Sequence, residues 1–154
     1  MITAWRVVKR SRESEAFSGE GARRYGGRWN HRGTAVVYVS ESLALAALEL
    51  FVHLGPAHKG MRFATFTVDI PTRVKVDVLP EAGLPRNWRE EPPPDTCKDI
   101  GTEWVKNGRA AVLRVPSVVL PAQYNYMLKI GHSDFKRLKI SKRSDVAFDP
   151  RMWK

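Results

Sequence analysis

The chain of 154 residues has a single cysteine, Cys97, so no disulfide can form within it, and no C-x-x-C pair is present to hold zinc. Its four histidines, His31, His53, His58 and His132, fall at no metal-ligand spacing, and H-E-x-x-H, the P-loop and G-x-G-x-x-G are all absent. We therefore expect no bound metal. Long apolar runs are missing too. The longest, Leu43 to Leu54, has twelve residues and contains Glu49 and His53, whereas a membrane-spanning helix needs about 20. The opening MITAWRVVKR alternates and carries charge, unlike a signal peptide. Repeats and low-complexity tracts are lacking. These absences lead to the expectation of a soluble, cytoplasmic protein with one domain over residues 1–154, long enough to bury a core with its 43% hydrophobic content.

Acidic charge is in short supply as well. The net charge of +10 is uneven: residues 1–34 carry eight Lys/Arg against three acids (+5), residues 35–102 seven against nine (−2), and residues 103–154 eleven against four (+7). Such a field attracts anions, whether nucleic acid, a phosphorylated small molecule or an acidic protein.

Alternation and β-branched runs predict strands at Thr3–Val8, Thr34–Val39, Met61–Ile70, Arg73–Val78, Ala110–Val115, Ser117–Leu120 and Phe135–Ile140. Ser40 is expected to cap a helix over Glu41–Leu54 that Gly55-Pro56 stops. A second helix is expected over Asp95–Asn107, after the Glu90-Glu91-Pro92-Pro93-Pro94 connector and before Gly108. Residues 11–33, with five glycines, read as a long loop, and Gln123–Lys129 as a short helical or turn segment. The sum is an α+β domain with a mixed sheet and flanking helices.

Ten of the twelve residues of Leu43–Leu54 are apolar on every side of the helical wheel, so this helix is expected to be buried. Glu49 and His53, four apart, share a face. A buried carboxylate needs a partner, and Glu49 reads equally as half of a structural pair, with an arginine or with His53, or as a catalytic group. In Gly26-Gly27-Arg28-Trp29-Asn30 the glycines permit close approach, and Arg28 can fork onto phosphate or carboxylate, or simply be solvated. Tyr38, at a strand end, is either core or a ring face for a planar base. Ser117, outside any G-x-S-x-G elbow, suits hydrogen bonding or a turn better than nucleophilic attack. The basic run Lys136–Arg143 reads as a charged sheet edge.

Together these pieces resemble the RES domain, the toxin half of RES–Xre toxin–antitoxin modules. The resemblance is carried by Trp5-Arg6, Gly26-Gly27-Arg28-Trp29-Asn30, Val37-Tyr38, Ser40 with the Ala46-x-x-Glu49 helix, Val115-Pro116-Ser117, Asn125-Tyr126, His132-x-Asp134-Phe135 and Phe148-Asp149-Pro150-Arg151. One departure is Lys129-Ile130-Gly131-His132-Ser133, which lacks two prolines often present in the family at this loop.

The resemblance implies a fold similar to ADP-ribosyltransferase toxins and cleavage of the nicotinamide–ribose bond of NAD⁺, with growth arrest as the consequence. Arg28, Glu49 and Ser117 match the name-giving trio, and Arg6 and Tyr38 match further positions of the NAD⁺ pocket. Glu49 and Arg28 would be catalytic. Arg6, Tyr38 and Ser117 would bind substrate, with Ser117 hydrogen-bonded to the nucleotide. No cofactor beyond NAD⁺ as substrate is implied. The implied partner is an Xre-family helix-turn-helix antitoxin in a hetero-oligomer, through which alone DNA is contacted, and no membrane is involved. Two other readings stand beside it: an ADP-ribosyltransferase that modifies a protein, and a basic nucleic-acid-binding protein or ribonuclease toxin. The latter calls for stacking aromatics among the basic residues, and Lys136–Arg143 contains none.

Overall fold

The computed structural model describes residues 1–154. Eight strands form one mixed sheet: β1 (Ile2–Lys9), β2 (Val37–Ser40), β3 (Phe63–Ile70), β4 (Val76–Val78), β5 (Val112–Pro116), β6 (Tyr124–Leu128), β7 (Lys139–Ile140) and β8 (Ser144–Val146). Their order is β4-β5-β6-β2-β1-β3-β7, with β8 also on β3. Only β4 and β5 run parallel. Three α-helices flank the sheet: α1 (Glu20–Tyr25), α2 (Leu43–Phe51) and α3 (Asp95–Asn107). The architecture is α+β, as the pattern of elements predicts.

Period-two alternation gives the sheet two apolar faces. Val37, Val39, Tyr126, Leu128 and Val112 pack with Ala4, Val68 and Ile70 on one side. On the other, Val36, Leu113, Val115 and Met127 pack with Trp29 and with Cys97 and Trp104 of α3. α3 matches its expected span, starting after Pro94 and ending at Gly108. Burial pushes the Cys97 thiol pKa up, which keeps it protonated and inert.

Several expectations need correction. Gln123–Lys129 is no helical turn; β6 occupies it, in register with both β2 and β5, because its alternation (Tyr124, Tyr126 and Leu128 against Asn125 and Met127) serves two neighbouring strands. No strand forms at Ser117–Leu120. The chain turns after Pro116, and the Ser117 hydroxyl accepts from the Leu120 amide at 3.1 Å. Phe135–Ile140 begins as a 3₁₀ turn, Ser133–Arg137, capped when His132 accepts from the Asp134 amide, and only Lys139–Ile140 is strand. That pair lies at the sheet edge, where the basic run was expected. Residues 11–33 are not all loop, since α1 and most of a 3₁₀ turn (Arg10–Glu15) lie among them.

α2 departs most instructively. Ser42, not Ser40, caps it, accepting from the Leu45 amide at 3.0 Å. Nor is it buried all round: only Leu45 and Ala46 are, and Val52 just beyond it is 57% exposed. One side packs through Leu43, Ala46 and Leu50 on Trp5, Val7 and Phe63. Phe51 meets Phe148 and Trp153 of the C-terminal segment at 5.2 and 5.1 Å between ring centroids. Another side is left to a cleft. No helix is long and apolar enough to cross a membrane.

Candidate active site

β1 and β2 pair at one position only, Trp5 with Ser40, whereas β1 and β3 pair along all eight residues from Ile2 to Lys9. The sheet therefore opens between β1 and β2. Arg6 bridges the opening: its Nη1 donates to the Tyr38 carbonyl at 2.9 Å and its Nε to the Ala16 carbonyl at 2.5 Å. Burial lowers the Arg6 pKa to about 10, which still leaves it cationic at neutral pH. Beside this opening lies a cleft of about 830 Å³, whose walls include Arg6, Arg28, Tyr38, Ser40, Glu49, His53, Lys98 and Asn125. That volume lies within the range of small-molecule and cofactor sites.

The Gly26–Asn30 segment forms one wall. A Cβ on Gly27 would stand 2.8 Å from Asn30 Oδ1 and 3.0 Å from the Tyr38 hydroxyl, so glycine is what lets Tyr38 seat there. Tyr38 donates to Asn30 Oδ1 at 2.6 Å and accepts from the Trp29 amide at 3.3 Å. Asn30, fully buried, spends its amide nitrogen on the carbonyls of Ala22, His31 and Thr34. Burial drives the Tyr38 pKa well above the ordinary phenol value, so its hydroxyl stays a donor and its ring is fixed.

Arg28 is not solvated, its side chain being only 14% exposed. Nη1 donates to the carbonyls of Trp88 and Glu90 at 2.9 and 2.7 Å, and Nη2 to Glu91 Oε2 at 2.7 Å. The proline-rich connector is thereby strapped to the cleft wall, and Trp88 of the strap stacks on Trp29 with centroids 6.4 Å apart.

Glu49 projects from α2 into the cleft lining, and its partner is neither an arginine nor His53. Its Oε1 accepts from Ser117 Oγ at 2.6 Å and from Asn125 Nδ2 at 2.9 Å, while Oε2 has no partner in the protein. Ser117, expected to hydrogen-bond a nucleotide, has protein partners instead in this structure. Ser117 is fully buried, is not part of the cleft wall, and has its hydroxyl committed to Glu49 and the Leu120 amide. It acts on Glu49.

Of the five site residues expected from sequence, Arg6, Arg28, Tyr38 and Glu49 line one cleft, and Ser117 stands behind Glu49. Sequence reasoning missed Asn125 as a site residue, because its segment was read as a turn. An alternation count over Tyr124–Leu128 would have placed Asn125 on a strand face. It also missed Lys98, which lines the cleft from α3 without an ion pair, and Glu91, which a proline-rich tract gave no reason to single out.

The chain matches the RES domain over residues 3–149. It is 37% identical over 149 residues to "Toxin Res" of Yersinia enterocolitica serotype O:8 / biotype 1B, covering 96% of this chain and 97% of that one. It is 36% identical over 152 residues to the "Prs ADP-ribosylating toxin" of Sphingobium sp. (strain YBL2), covering 96% and 94%. Among solved structures it resembles a chain of the M. tuberculosis MbcT–MbcA toxin–antitoxin complex, with a TM-score of 0.74 at 19% identity over 99% of this chain and 86% of that one. This chain belongs to the RES domain family, and its curated relatives are toxins.

Proposed function

We propose that this protein is the toxin of a bacterial toxin–antitoxin module and cleaves the nicotinamide–ribose bond of NAD⁺. The observation that carries the reading is the unpartnered Oε2 of Glu49 in a cleft bordered by two positioned arginines. When the bond breaks, its electron pair leaves with nicotinamide and the ribose carbon becomes cationic. A fixed carboxylate at that carbon stabilises the developing charge. A nucleophile then adds to the cation: water, inorganic phosphate or a protein side chain. The Sphingobium relative is named an ADP-ribosylating toxin, which favours keeping protein as an acceptor beside the other two.

Arg6 and Arg28 each retain N–H groups beyond those bonded to protein, and these suit the diphosphate. The Tyr38 ring, held at its hydroxyl, offers a flat face to nicotinamide. An Xre-type antitoxin would complete the module and make the DNA contacts. Incubating the purified protein with NAD⁺ and identifying products, with and without phosphate or lysate protein, tests the reading. If NAD⁺ survived every condition, the reading would fail.

The chemistry assigned to Glu49 requires no Lewis acid, so a chelator should leave the rate of NAD⁺ loss unchanged. Restoration of a chelator-silenced enzyme by added metal would refute this.

Arg28→Ala removes a ligand clamp and releases the strap. NAD⁺ turnover should fall at least about tenfold, the scale of one lost charge-assisted hydrogen bond. Glu91→Gln should act in the opposite sense. Glu91 occupies Arg28 in the free protein, but its side chain is 71% exposed, so the pair is weak, and removing the competing charge should lower KM by only about two- to fivefold. Steady-state kinetics on both variants checks the two signs.

A further inference from the structure

Ser40 and Asn125 face each other in register on β2 and β6, and both line the cleft. Ser40 Oγ donates to Asn125 Oδ1 at 2.6 Å, and Asn125 Nδ2 donates to Glu49 Oε1 at 2.9 Å. We propose that Ser40 and Asn125 are positioning residues that fix the orientation of the Glu49 carboxylate, so that Oε2 is the oxygen presented to substrate. This rests on the reading of Glu49 as the group that acts on NAD⁺.

The argument is one of donors and acceptors. An ionised carboxylate only accepts, so Asn125 must turn its nitrogen toward Glu49. The other end of the amide, Oδ1, is then an acceptor, and Ser40, 5% exposed, supplies its donor. The last torsion of a glutamate side chain is broad and roughly twofold, so a single bond to Oε1 would leave the carboxylate plane free to swing. Two donors from different elements remove that freedom: Ser117, in the turn after β5, and Asn125, on β6. Both land on the same oxygen. The second oxygen stays open as a consequence.

The test measures kcat and KM for NAD⁺ loss in Asn125→Ala, Asn125→Asp, Ser40→Ala and Ser40→Thr, with thermal melts. It adds Asn125→Ala in a Glu49→Gln background. Both Asn125 variants should lower kcat at least about tenfold, since the lost bond is to a charged group, with KM within about twofold. Asn125→Asp sets a second carboxylate against Glu49 and should be the worse. Ser40→Ala should cost about threefold in kcat, the scale of a neutral bond, and Ser40→Thr, which keeps the hydroxyl, should recover it. In the Glu49→Gln background, Asn125→Ala should slow the enzyme no further, because the two act as a unit.

A loss carried by KM, or independent losses in the double variant, would mean that Asn125 contacts substrate itself and would overturn the assignment. Wild-type kcat in both Asn125 variants would overturn it as well. Should Asn125→Ala fail to fold, the Ser40 pair decides by the same criterion. An inactive Glu49→Gln enzyme with unaffected Asn125 variants sinks the positioning role alone. A fully active Glu49→Gln enzyme sinks the proposed function and the positioning role with it.

Discussion

Glu49→Gln should lose NAD⁺ cleavage by about 10²-fold or more, the scale seen when one electrostatic contributor to a transition state is removed, and should melt at or above the wild-type temperature. The two halves of this expectation come from the two oxygens. Gln can place its carbonyl where Oε1 stands and go on accepting from Ser117 and Asn125. Its amide nitrogen then replaces Oε2, and the negative charge that would face the ribosyl cation is gone. Stability is spared because both partners of Glu49 are neutral donors, so no cation is stranded when the charge is deleted. Glu49→Ala is the informative contrast. It leaves the Ser117 hydroxyl and the Asn125 amide without their acceptor, at about 1–3 kcal/mol for each buried unsatisfied group, and should lower the melting temperature as well as the activity. A Glu49→Gln protein that is destabilised yet fully active would reverse both halves and remove Glu49 from the mechanism.

How far the sequence could reach is best judged at particular residues. α3 was legible to the residue because its ends carry strong local signals, Pro94 before it and Gly108 after. β1 and β3 were legible because long alternating segments have one stable use. β6 was not. Tyr and Asn serve turns as readily as strands, and what decides in favour of a strand is the pairing of β6 with both β2 and β5, which are non-local. The same division runs through the site. Glu49 stood out as a charge where charge is costly and Arg28 as an arginine in a glycine-rich segment, and the RES resemblance joined them to Arg6, Tyr38 and Ser117. The relation between Ser117 and Glu49 could not be read, because it spans 68 positions and depends on the turn after Pro116. Sequence brought Arg6, Arg28, Tyr38, Glu49 and Ser117 to one site but missed Asn125, and it could not say which of these side chains meet one another.

That reasoning extends to a residue with no polar atom in its side chain. Gly101→Ala, in the middle of α3, should destabilise the protein by about 2 kcal/mol and also reduce activity. Helix propensity alone favours alanine by about 1 kcal/mol. Against it, a Cβ at Gly101 would stand 1.7 Å from the Trp29 carbonyl oxygen and 2.9 Å from Met127 Cε. The nearer atom is backbone and cannot swing aside, so overpacking, at about 1–3 kcal/mol and occasionally more, outweighs the propensity gain. For a chain of this length the net loss corresponds to a melting temperature lower by about 4–8 °C. Activity falls with it because Trp29 lies between Arg28, which straps the connector, and Asn30, which holds Tyr38; pushing its carbonyl outward displaces both. Gly21→Ala provides the control. Gly21 lies in α1 with nothing within 4 Å of its would-be Cβ, so the same change there should stabilise by about 0.4–1 kcal/mol. Melts of the two variants should therefore move in opposite directions. A Gly101→Ala protein as stable as Gly21→Ala would mean that α3 can slide away from Trp29 at little cost, and that the Arg28 wall is not braced by the helix behind it.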